Sequence, residues 1–151
     1  MSCSKSPSVF QEAINHSRAP QHLLLRMIDE LNRSSYEGKT FEHVLTSVTQ
    51  RTDGLQGFGP LTFYDIASGI SKCNAIDIQR VYIMGPGPKN AAKLLNLRLK
   101  TFRVESRTFK YAECKDVVDA LQKRNVVVPD NILKNGDALE TFLCKWQKTV
   151  R

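Results

Sequence analysis

Apolar residues recur along this chain mostly at helical spacing. Val9, Phe10, Ala13 and Ile14 open a first apolar face, and Leu23, Leu24, Met27, Ile28 and Leu31 form a stronger second one behind Pro20. Tyr36-Glu37-Gly38-Lys39 reads as a turn, after which Thr40 is placed to cap a helix. Phe41, Leu45 and Val48 share a face of that helix, and Asp53-Gly54 break it. Leu61, Tyr64, Ile66 and Ile70 predict the next helix. Residues 76–84 suit either a short strand or a buried helix face, and a further helical segment runs to about Leu97. From Lys100 to Tyr111 the alternation through Phe102, Val104 and Thr108 is loose, consistent with an extended or irregular stretch. Val117, Val118 and Leu121 predict a helix closed near Asn125, and Val126–Val128 a brief extended piece, since Pro129 biases the residue before it away from helix. Leu139, Phe142, Leu143 and Trp146 predict a last helix behind Asn135-Gly136-Asp137, with Asp137 as its cap. The expected fold is mainly α. A loose tail over residues 1–8 precedes a single compact helical domain over 9–151, with room for one or two short strands.

At 151 residues such a domain can bury a core without staples. No apolar run approaches the ~20 residues that span a bilayer, and no secretory apolar region follows the N-terminus. The expectation is an intracellular protein, cytoplasmic or nuclear, with no membrane partner. Cys3, Cys73, Cys114 and Cys144 are far apart, and with His16, His22 and His43 they lack metal-ligand spacing. Free thiols in a reducing compartment are expected, with no metal and no cofactor.

The charge changes the picture. The net +7 is unevenly placed: residues 1–75 hold seven Lys/Arg and seven Asp/Glu, so the second half carries the whole excess. Between Arg80 and Lys110 lie Lys89, Lys93, Arg98, Lys100, Arg103 and Arg107 against the single acid Glu105. Solubility requires no such clustering, whereas a polyanion partner would. An ordinary solvated face is the alternative.

Two glycine turns stand in matching contexts. Leu55-Gln56-Gly57-Phe58-Gly59-Pro60-Leu61-Thr62 aligns without gaps to Ile83-Met84-Gly85-Pro86-Gly87-Pro88-Lys89-Asn90 at a spacing of 28 residues. The pattern resembles the tandem helix-hairpin-helix motif of DNA-binding proteins, over about 40 residues from Leu55 to Leu95 and, with its second helix, a unit spanning about 55–97. That resemblance implies sequence-independent binding of DNA backbone by loop N–H groups at helix starts. It implies as contact residues Gly57, Gly59 and Thr62 in the first turn, and Gly85, Gly87, Lys89 and Asn90 in the second. Lys93, Arg98, Lys100, Arg103 and Arg107 extend this nucleic-acid-binding set along the basic stretch. Leu61 removes the basic partner from the first copy, and Pro86 fills the usual aliphatic position of the second.

Other readings stay open. A strand over Val81–Met84 with Gly85-Pro86-Gly87 mimics a dinucleotide-binding turn, but Asn90 replaces the third glycine and two prolines remove N–H donors. A base-excision glycosylase or lyase would draw on Asp77, 18 residues after Gly59, as its catalytic acid; the lyase lysine position is Leu61. No other catalytic constellation emerges, so a non-enzymatic binding protein is expected. A protein-interaction module is the third alternative, with the N-terminal helices docking a partner or a second copy and the hairpins only structural.

Overall fold

In the computed structural model, which describes residues 36, 38–55 and 57–150, the chain forms two compact units, residues 1–77 and 78–151. The tail, the two helices expected before residue 32 and the docking surface assigned to them lie outside the described residues.

The first unit follows local signals closely. Thr40 is extended, and its hydroxyl accepts from the His43 amide at 3.1 Å, which starts α1 (Phe41–Thr52). Phe41, Val44, Leu45 and Val48 fill its inner face. Thr49 and Thr52 are buried beside them, and each hydroxyl donates to the carbonyl four residues back, so neither of the two is stranded. Gly54 and Gly57 turn the chain at φ +92° and +88°. Gly59 then caps α2 (Pro60–Cys73), with Pro60 in the first turn, where a missing N–H costs nothing. Phe41 meets Tyr64 edge-on with ring centroids 5.6 Å apart, joining the two helices.

The second unit overturns the mainly-α expectation. It contains β1 (Arg80–Tyr82), α3 (Pro86–Leu94), β2 (Lys100–Val104), β3 (Arg107–Glu113), α4 (Cys114–Lys123), a 3₁₀ turn (Asp130–Ile132) and α5 (Gly136–Gln147). The three strands form one antiparallel sheet in the order β1-β3-β2, so the fold is mixed α and β. The loosely alternating stretch is a hairpin: Phe102 stands opposite Phe109 and Val104 opposite Arg107, with Glu105 at φ +53° in the tight turn. β1 is only three residues long and pairs with β3 through Arg80↔Glu113 and Tyr82↔Tyr111. So short a strand carries little local periodicity; its partner, about thirty residues onward, fixes it.

Val81 and Ala112 from the sheet, Ile83 just after β1, Ala91 and Ala92 from α3, Val117 and Leu121 from α4, and Leu139 and Leu143 from α5 make this unit's core. α5 begins against β1. The Gly136 amide donates to the Ile78 carbonyl at 2.7 Å, and a Cβ at Gly136 would run into the Arg80 carbonyl. Asn135, not Asp137, caps this helix, its side-chain oxygen accepting from the Ala138 amide at 3.0 Å. Among the expected free thiols, Cys114 and Cys144 are free, whereas Cys73 is disulfide-bonded.

Candidate nucleic-acid interface

The two glycine turns differ in surroundings. The first joins two helices, as a helix-hairpin-helix requires, whereas the second joins strand β1 to α3, and the two lie in separate compact units. Gly57 is exposed at the turn, Gly59 is the extended N-cap of α2, and Thr62 sits half-buried in that helix's first turn. In the second turn Gly85 caps α3, and Pro86 and Pro88 flank Gly87. The two prolines bring no N–H, and the Lys89 amide already bonds the Gly85 carbonyl at 3.1 Å, which leaves Gly87 as the one free amide of the first turn. Gly87 itself is pressed against α5, where an added Cβ would sit 2.6 Å from the Cys144 sulfur. Asn90 donates its side-chain amide to Gln147 of the same helix at 2.6 Å. Gly87 and Asn90 thus hold α3 on α5. Lys89 and Lys93, four residues apart on the outer face, are exposed.

Strand register divides the basic run. Side chains alternate across a sheet, so Lys100 and Arg107 share a face with Tyr82, Phe102, Phe109 and Tyr111, while Arg103 and Lys110 point to the other. On the first of these faces Lys100 is neutralised by Glu113 at 3.1 Å, and the Arg80 guanidinium lies 4.3 Å from the centre of the Tyr111 ring. On the opposite face Arg103 pairs across with Thr108, and Thr101 with Lys110. All four are exposed. Two cations on a diagonal and two hydroxyls therefore form a small polar-basic ribbon surface. Arg103 was legible as part of the basic stretch. Lys110 bounds that stretch and shares this face with Thr101 and Thr108; their period-two spacing with Arg103 was the available signal. Arg98 is exposed in the link between α3 and β2.

Asp77 is exposed at the end of the first unit, ahead of β1. The Cys114 thiol, buried at the start of α4, donates to the Gln79 carbonyl at 3.2 Å. Burial, reinforced by the Glu113 carboxylate, pushes its pKa up to about 11, so it stays protonated at neutral pH and is no nucleophile. No helix among the described residues is long and apolar enough to cross a membrane.

Compared with known families, residues 18–151 match the sequence model described as Amino acid:DNA transferase. No curated protein and no solved structure matches the chain.

Proposed function

The chain belongs to the amino acid:DNA transferase family, and from that premise we propose that it binds DNA by its backbone, without reading sequence, as one of two reactants. The other reactant is an amino acid. The polar-basic ribbon of β2 and β3 is the observation that carries the DNA half of this reading. Arg103 and Lys110 are exposed there, and neither makes an ion pair among the described residues. Lys89 and Lys93 on α3 are equally unpaired. Exposed cations of this kind can neutralise phosphates and release the cations condensed on DNA, which makes binding favourable. Threonine hydroxyls beside them suit phosphate oxygens, and such contacts position a duplex without specifying bases.

The helix-hairpin-helix contribution falls to the first turn, where the Leu61 and Thr62 amides head α2 without intrahelical partners. The second turn contributes Lys89 rather than its amides. Asp77 is given no chemical role.

Salt-titrated gel shifts of the full chain on duplexes of unrelated sequence test the proposal. Neutralising about four phosphates predicts a log–log slope of binding constant against salt of about −3 to −4, alike for all sequences. Absent binding, or binding indifferent to salt, overturns it.

A further inference from the structure

The second unit also has a concave feature. An open groove of about 560 Å³ runs between the residues that follow α3 and the outer face of α4. The helical period puts Asp116, Asp119 and Lys123 on one stripe of α4, opposite the buried Val117 and Leu121. Arg98 faces the groove from the other wall, and half-buried leucines of the 94–97 segment supply its apolar lining. Arg124 pins the walls together: its guanidinium donates to the Leu94 carbonyl at 2.9 Å and lies 5.7 Å from the centre of the Trp146 ring. The remaining charges are uncommitted. Among the described residues the side chains of Asp116, Asp119, Lys123 and Arg98 make no hydrogen bond or ion pair.

We propose that this groove binds a free α-amino acid, an assignment that rests on the two-reactant reading above. A zwitterion carries an ammonium and a carboxylate on one carbon, so a site that selects it needs an anion and a cation within reach of each other, neither satisfied internally. Asp119 and Lys123 are four residues apart, about 6 Å along the helix axis, and their flexible side chains can converge on the two ends. Arg98 offers a planar fork to the carboxylate, and Asp116, one turn earlier, is a second acceptor for the ammonium. The leucine lining accommodates a side chain. Asp116 and Asp119 place two anions among the groove's cations, whereas the ribbon's charged side chains, Arg103 and Lys110, are both cationic. That separates it chemically from the ribbon.

The test is an amide-resolved NMR titration of the full chain with each of the standard amino acids in turn. At least one should shift resonances of residues 94–98 and 116–124 with a Kd of about 1 mM or tighter. Its N-acetyl and carboxamide derivatives should each bind about tenfold more weakly, because each removes one charge. Asp119→Asn and, independently, Arg98→Gln should weaken binding about tenfold while the remaining spectrum is preserved. If no amino acid moves these resonances at ~10 mM, or if blocking both ends changes nothing, the assignment is overturned. DNA binding is measured on the same preparation. DNA bound without any amino acid removes the groove and leaves the ribbon reading standing; amino acid bound without DNA does the reverse.

Discussion

At Gly136 the missing side chain is the structural requirement. Its amide reaches the Ile78 carbonyl, and the space a Cβ would take is held by the Arg80 carbonyl, a backbone atom that cannot rotate away. Gly136→Ala should therefore destabilise the protein by about 3 kcal/mol, read as a lowered urea midpoint. Gly87→Ala meets mainly the Cys144 sulfur at 2.6 Å, the end of a side chain that can turn, and should cost only about 1 kcal/mol. The reverse order would mean that the α3–α5 contact, not the seat of α5 on β1, is the tighter constraint. Neither requirement was visible in the sequence. Gly87 reads as a loop glycine and Gly136 as a turn glycine, because the neighbour that excludes a side chain is far away along the chain in both.

Strand alternation, at the scale of elements, turns a run of basic residues into two different surfaces. Lys100 is spent on Glu113, while Arg103 and Lys110 face the other way beside two threonines. Arg103→Glu and Lys110→Glu should each lower DNA affinity by about tenfold at low salt, since each removes a phosphate contact and adds repulsion. Lys100→Glu should do less, as its positive charge is already offset. Fluorescence anisotropy on a labelled duplex measures all three. Equal losses at the three positions would show that net charge alone matters and that the ribbon surface is not the contact. The helices pose no such ambiguity. The Thr40 cap and the Phe41, Leu45 and Val48 spacing of α1 were legible, as were Val117 and Leu121 of α4 and Leu139 and Leu143 of α5. Helical hydrogen bonds and faces close within four residues, so local sequence contains both partners.

Across the whole molecule, charge segregates with the two units. Residues 78–151 hold fifteen Lys/Arg against seven Asp/Glu, a net +8, while residues 1–77 hold seven against eight, a net −1. DNA association should follow that division. Replacing both Lys89 and Lys93 by Glu should reduce the magnitude of the salt slope by about two, for every duplex sequence alike. Lys39→Glu, in the first unit, should leave the slope in place, and a matching loss there would contradict the assignment of the cationic phosphate contacts to the second unit. The sequence by itself determined the charge asymmetry and the described helices with most of their ends, because composition needs no partner and helix signals are local. Only tertiary structure decided that β1 and β3 pair, that Arg103 and Lys110 share a face, and that the matching glycine turns have unlike surroundings. Pairings such as Arg80↔Glu113 join residues 33 apart, and a side chain's face follows from that register. No short window of sequence contains both strands, so none could say on which surface the positive charge would gather.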